Sequence, residues 1–297
     1  MTAPMSQPAA GPVIAGVDGG PAGRDALQLG RWAAETLQAP LIVAVVHPAP
    51  AAISSGRVDA EWVADRHRAA QAILDDARTA LEGAGCTVEY RSVASSSAAH
   101  GLHDLAEAEQ AQLITVGSGK QAPKQRLFAG STADRLLSGS MCPVAVAPAG
   151  LEVPAGGLGR IGVAYVDTPD GRAALEKAAE LARHTGTPLR LYTVVADPDA
   201  SLPFLVGQDS EHAFLDTARE TYEQSLQKAA DSVADVDADW QVITGEVVDA
   251  LSELDDIDLL FCGSRGYGPA RRVLLGGVSA RLVRRARRPV VVVPRSG

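Results

Sequence analysis

Residues 112–118 read QLITVGS, and residues 258–264 read DLLFCGS. Each is a polar residue, four positions suited to a buried strand, and a glycine–serine turn. Their recurrence decides the fold, because it is not isolated. GRDAL at 23–27 returns as GRAAL at 171–175, APLIVAVV at 39–46 as TPLRLYTVV at 187–195, and MCPVAVAP at 141–148 as RRPVVVVP at 287–294. The four pairs keep their order and nearly constant spacing, the mark of two homologous halves in tandem.

Within a half, apolar runs alternate with helical stripes. Residues 13–17 form a short apolar run stopped by DGGP; Ala26, Leu29, Gly30, Ala33 and Leu37 then repeat at helical spacing. A buried strand follows at 41–46, and Ala70, Ile73, Leu74, Ala77 and Leu81 give a second helical face. Next come a strand near 88–93, a short helix near 102–109, a strand at 113–116, a loop, a helix from about Gly130 and a strand at 144–147. The second half repeats the pattern through Leu175, Ala178, Ala179 and Ala182, then Tyr222, Ser225, Leu226, Ala229 and Val233. This βαβαβαβαβ order predicts α/β architecture: two tandem open sandwich domains, each with a five-stranded parallel sheet whose ligand loops lie at the strands' carboxyl ends. Periodicity stops in PAGLEVPAGGLGR, residues 148–160. The expected boundaries are a disordered tail at 1–11, domains at 12–148 and 160–297, and a linker at 149–159.

The chain of 297 residues is 46% hydrophobic but only 4% aromatic, and its net charge of −9 opposes binding to nucleic acid or an anionic membrane. The opening MTAPMSQPAAGP lacks a basic cluster followed by an apolar run, and no stretch reaches the roughly 18 apolar residues of a membrane span. A cytoplasmic protein with no membrane or nucleic-acid partner is expected. Cys86, Cys142 and Cys262 form no CxxC pair and suit a reducing compartment, with Cys142 and Cys262 read as buried structural thiols.

The GSGK at 117–120 invites a P-loop reading and fails it. A P-loop needs glycine five residues before its Gly-Lys and a hydroxyl after it; this chain has Ile114 and Gln121 there. A different pattern fits. After the fourth strand of the second half, Gly263 is followed by two residues, Gly266, nine residues, and Gly276-Gly277 at a helix start. The first half has Gly117, then Lys120 in the second glycine's place, then Gly130-Ser131. Glycines admit a close-approaching anion, and a helix start offers unpaired N–H groups; turn-making alone would also use such glycines.

Both halves, nearly the full chain, resemble the universal stress protein family, whose nucleotide-binding members carry this spacing. The resemblance implies Rossmann-like domains and an adenine nucleotide, ATP with or without Mg²⁺, or none where the motifs have diverged. In the first half it implies a site of Gly16, Val17, Asp18, Val46, Val116, Gly117, Ser118, Lys120, Gly130, Ser131 and Thr132. Asp18 would hold the adenosine, and Val46 would line the base pocket. An N-cap or turn carboxylate is the competing role for Asp18. In the second half it implies Asp167, Val194, Gly263, Ser264, Arg265, Gly266, Gly276, Gly277, Val278 and Ser279, with Val166 near the aspartate's place. Gly277 there replaces the expected hydroxyl; Ser279 offers another in the first helical turn, where the first half has Ala133.

The expected function is that of a stress-linked nucleotide sensor, with the halves forming an internal pseudo-dimer through their final strands and a homodimer also possible. A diverged interaction scaffold is the alternative, and a slow nucleotide hydrolase a third reading that lacks an identifiable base or metal-binding carboxylate. Arg281, Arg284, Arg285 and Arg288 are expected on one solvated or interface side of a helix, with Arg271 and Arg272 in the loop. His100 and His103 lack the further ligands of a zinc site and read as surface residues. Trp32, Trp62 and Trp240 read as packing anchors, and the loops at 48–57 and 197–210 as lids or interdomain packing.

Overall fold

In the computed structural model, which describes residues 11–49, 58–154, 156–195, 208–264 and 277–294, the apolar runs are strands and the helical stripes are helices. The first half runs β1 (Val13–Gly16), α1 (Pro21–Thr36), β2 (Leu41–Pro48), α2 (Val58–Ala80), β3 (Val88–Ser95), α3 (Ala98–Ala108), β4 (Leu113–Gly117), α4 (Ser131–Leu137) and β5 (Val144–Ala147). The second runs β6 (Ile161–Ala164), α5 (Pro169–Thr185), β7 (Leu189–Val195), α6 (Gln208–Asp231), β8 (Ala238–Thr244), α7 (Val247–Ser252), β9 (Leu259–Gly263), α8 (Gly277–Leu282) and β10 (Val290–Val293). Residues 1–10 of the expected tail and most of the two long loops lie outside the described residues.

All ten strands join one sheet in the order β3-β2-β1-β4-β5-β10-β9-β6-β7-β8. Pairing is parallel inside each half; the seam alone is antiparallel, with Val290 opposite Val146 and Val292 opposite Val144. The expected union of the final strands is therefore present. The sheet's remaining edges, β3 and β8, carry Glu89, Arg91 and Asp239, charges that discourage further strand addition.

Side chains alternate across the sheet. Val13, Ala15, Leu41 and Val43 pack under α1 and α2, while Ile14, Ile42, Ala44 and Ile114 pack under α3 and α4. The second half puts α5 and α6 on the first of these faces, and α7 and α8 on the other. Because the seam is antiparallel, the carboxyl ends of the two halves' parallel strands point in opposite directions.

Close packing fixes α1 over β1 and β4. A Cβ on Gly30 would stand 2.8 Å from both Ala15 Cβ and Thr115 Oγ1, and the Thr115 hydroxyl donates to the Ala26 carbonyl at 2.9 Å. The start of the expected linker is also pinned. The buried Asp25 carboxylate accepts the Gly150 N–H at 3.0 Å and the Leu151 N–H at 3.2 Å, and Leu151 joins the core.

Not every expectation holds. Helix α8 stops at Leu282, so the arginines do not share a helix face. Each instead finds a separate partner: Arg281 meets Glu246, Arg285 meets Asp249, Arg284 meets Asp134, and Arg288 donates to the Asp255 carbonyl; Arg287 nearby meets Glu253, which Arg126 shares. Trp62 is 41% exposed and anchors no core, on a stretch of α2, residues 61–69, that is largely exposed; Trp32 and Trp240 are half-buried against the core. Cys262 is buried as expected, whereas Cys142, beside the turn after α4, is only half-buried. No helix among the described residues is long and apolar enough to cross a membrane.

Candidate functional site

Four segments of the first half end at one edge of its sheet: the turn after β1, the end of β2, the loop after β4 and the start of α4. Between them and α2 lies a cleft of about 540 Å³, and every residue expected of the first-half site lines it. Gly16, Val17 and Asp18 form one side, Val46 the end of β2, Val116 to Ser118 and Lys120 the loop, and Gly130 to Thr132 the helix start.

Glycine at 117 is a packing requirement. A Cβ there would stand 1.9 Å from the Ala22 carbonyl oxygen, so the strand end passes directly against the start of α1. Gly119 and Gly130 likewise meet backbone to backbone, a Cβ on Gly130 falling 3.2 Å from the Gly119 Cα. The loop between them is closed by its own bonds. Gly119 N–H donates to the Phe128 carbonyl at 2.6 Å, and the buried Ser118 hydroxyl donates to the Ala147 carbonyl at 2.8 Å while accepting the Phe128 N–H at 3.2 Å. Ser118 is thus a buckle, with its hydroxyl already engaged.

The helix start is open. The first turn's bond runs from Asp134 N–H to the Gly130 carbonyl at 2.9 Å, and Gly130 supplies no side-chain cap. The N–H groups of Ser131, Thr132 and Ala133, residues that line the cleft, therefore have no intrahelical partners. The Ser131 and Thr132 hydroxyls line the same end, and neither has a hydrogen bond among the described residues. Asp18 is exposed; its Oδ1 accepts the Gly20 N–H at 2.9 Å, while Gly20, with no side-chain bond, is the N-cap of α1. Asp18 therefore makes a turn without capping the helix, and its Oδ2 is left over.

Three further lining residues lie outside the sequence motif. His47, Arg66 and Ile73 line the cleft. His47 follows Val46 at a strand's carboxyl end and was within reach of that rule. Arg66 lies on α2, and nothing local in the sequence brings it across from the loop. Cleft volume is in the range of small-molecule sites. The lining combines apolar side chains such as Val46, Ala70 and Ile73 with the α4 start, the Ser131 and Thr132 hydroxyls and Lys120, a set whose chemistry fits an adenine nucleotide.

The second half departs from this arrangement. The strand register sets Val166, 47% exposed, in the place of Asp18. Asp167 is paired with Arg172 and lines a separate cavity between α5 and α6. Val194 is half-buried at the end of β7. Gly263 repeats the close approach of Gly117, its Cβ position being 2.4 Å from the Asp170 carbonyl oxygen. Ser264 is buried, Gly277 faces open space and Val278 packs against the core. Ser279 is 5% exposed and donates to the Gly263 carbonyl at 2.7 Å, which leaves no hydroxyl proton for a phosphate. Arg265, Gly266 and Gly276, with Arg271 and Arg272, lie outside the described residues.

The first-half loop is also held by the second half. Leu127 N–H donates to the Ala286 carbonyl at 2.8 Å and Ala129 N–H to the Val283 carbonyl at 2.9 Å. Arg126 adds a bond to the Arg285 carbonyl at 3.0 Å and an ion pair with Glu253 at 2.7 Å. These carbonyls follow α8, where a helix end leaves acceptors without partners. Among the described residues no cluster of His, Cys, Asp or Glu could hold a metal ion; His100 sits 3.4 Å from Asp104 on the surface of α3.

The universal stress protein family pattern matches this chain at residues 10–148 and again at 157–294. A universal stress protein of Mycobacterium tuberculosis is 30% identical over 293 residues, 95% of this chain and 99% of the relative. A universal stress protein structure from Archaeoglobus fulgidus matches with a TM-score of 0.65 at 18% identity, covering 97% of each chain. A putative one from Pseudomonas aeruginosa gives 0.62 at 15% identity, covering 96% of this chain and 93% of that one. Matched in both halves, with loops and seam arranged as described, the chain belongs to the universal stress protein family.

Proposed function

We propose that this protein binds an adenine nucleotide, ATP foremost, in its first half and acts as a cytoplasmic stress-linked regulator whose occupancy is relayed to the second half. One observation carries the reading: the separate segments named from the motif line a single cleft whose phosphate end has unspent N–H and hydroxyl groups. The Asp18 Oδ2 would receive the ribose, Val46 and Ile73 would flank the base, and the α4 start with Ser131 and Thr132 would take the phosphates. Asp18 is the one carboxylate among the described lining residues, so the arrangement suits binding rather than turnover. We assign residues 12–148 and 160–297 as the two domains of the pseudo-dimer, with 149–159 as linker.

The second half supports a different role. With Val166, Gly277 and an engaged Ser279, it is read as the partner half, which holds the first half's loop. Occupancy then acts by population shift, favouring the packing in which that loop is ordered for ligand.

The test is direct. Purified protein is denatured and its supernatant analysed for nucleotide, and ATP is titrated by calorimetry into the nucleotide-free protein. Binding is expected, to be weakened by Asp18→Ala and abolished by Gly130→Val, whose methyls would enter the crowded approach to Gly119. No carried nucleotide and no heat of binding would end this reading.

A further inference from the structure

Lys120 stands in the first half where the second half has Gly266, and its surroundings give it a task. It is held at the second position of a turn closed by Ala122 N–H donating to the Gly119 carbonyl at 2.9 Å. The Ser118 buckle and the Gly119–Phe128 bond fix that turn on either side. The base of the side chain is therefore set, not floating. Lys120 lines the same cleft as Ser131 and Thr132, is exposed, and has no ion-pair partner among the described residues. Arg66 of α2 also lines the cleft, but it is paired with Asp65 at 3.5 Å and lies over the Trp62 ring, so Lys120 is the uncommitted cation of the two.

The carboxylate side of the ledger is nearly empty. A protein-held Mg²⁺ uses one or two carboxylates together with phosphate oxygens. Here Asp18 alone lines the cleft among the described residues, and it already spends Oδ1 on the Gly20 N–H. An ammonium group, by contrast, is a compact cation with three donors that binds phosphate as a point charge.

We propose that Lys120 serves as the counter-ion of the phosphate chain, so that the first-half site takes a nucleoside polyphosphate free of divalent metal. This rests on the nucleotide reading above. Loss of the ammonium leaves the phosphates with the α4 start and Arg66, and a metal ion then becomes necessary to make up the charge.

The experiment titrates ATP by calorimetry into the full-length protein, once in EDTA and once in excess Mg²⁺, for the native chain, Lys120→Gly and Lys120→Arg. Far-ultraviolet circular dichroism checks that each is folded. The native chain is expected to bind with affinities within about threefold in the two conditions. Lys120→Gly should bind about tenfold or more weakly in EDTA, as for loss of a charge-assisted contact, and recover in Mg²⁺; Lys120→Arg should stay near the native value in EDTA. The proposal is overturned if the native chain binds only with Mg²⁺, or if Lys120→Gly binds in EDTA as tightly as the native chain or more so. Folded native protein that binds no ATP in either condition overturns the nucleotide reading itself, and this inference with it.

Discussion

Gly117→Ala adds one methyl group at the point where strand, loop and helix converge. The new Cβ would stand 1.9 Å from the Ala22 carbonyl oxygen and 2.5 Å from its carbon. A relaxed carbon–oxygen contact needs about 3.3 Å, so the end of β4 and the start of α1 must separate by more than about 1 Å. Neither side yields readily: α1 is held by the Thr115–Ala26 bond and by the close approaches of Gly23 and Gly30. A cost of about 3 kcal/mol follows, at the upper end of ordinary overpacking, and urea denaturation should show the midpoint falling by about 1 M. Since Gly117 is also a wall of the cleft, ATP affinity should drop at least about tenfold. The internal control is Gly263→Ala, with its Cβ 2.4 Å from the Asp170 carbonyl oxygen. It should destabilise comparably while leaving ATP affinity within about twofold. A Gly117→Ala protein with an unchanged midpoint would refute the packing argument. Equal losses of affinity from both variants would refute the assignment of binding to the first half.

Three further outcomes are expected. Asp25→Ala strands the Gly150 and Leu151 N–H groups and should cost about 2–4 kcal/mol, with Asp25→Asn nearer half of that, read by thermal unfolding and by faster hydrogen exchange at 149–151. The Arg126 guanidinium, aided by Arg287, holds the Glu253 carboxyl below the usual glutamate range. The stability this pair contributes is therefore complete above the ordinary value of about 4.3 and is lost as pH falls through the lower folded value. The effect is small because the side chains are half-exposed, and exchange at residues 126–129 should rise on acidification in the native chain and be raised already at neutral pH in Glu253→Gln. Finally, burial pushes the Cys262 thiol up to about 12, so iodoacetamide at pH 8 should label Cys86 first and reach Cys262 only after denaturation, as mass spectrometry of the peptides can verify.

The fold was legible because its determinants are local and stated twice. Apolar runs such as LIVAVV and helical stripes such as Ala26–Leu29–Gly30–Ala33 need no distant information, and their repetition in register removed the ambiguity a single run would carry. The first-half cleft was legible for a related reason: strand carboxyl ends converge whenever such a sheet forms. What escaped is non-local. The spacing groups Arg281, Arg284, Arg285 and Arg288 on one helix face, whereas their partners Glu246, Asp134, Asp249 and the Asp255 carbonyl lie elsewhere in the chain, and reaching them dictates the arginines' directions. Ser279 offers a hydroxyl by its spacing, but spacing cannot tell a side chain turned to the loop from one bonded to the Gly263 carbonyl. Arg66 was invisible because only the packing of α2 brings it to the cleft.

The antiparallel seam has a consequence for how the chain comes into being. During synthesis β5 is complete while its neighbour β10 is still unmade, and roughly 140 residues at about 5–20 per second put the delay on the order of ten seconds. Throughout that interval Val144–Ala147 presents an uncharged apolar edge, the kind to which stray strands add. The nascent first half must be shielded or must tolerate the exposure, and a chain interrupted before β10 would carry the edge permanently. Its simplest relief would be the β5 of another interrupted chain, rebuilding between two molecules the pairing that the tandem arrangement keeps within one.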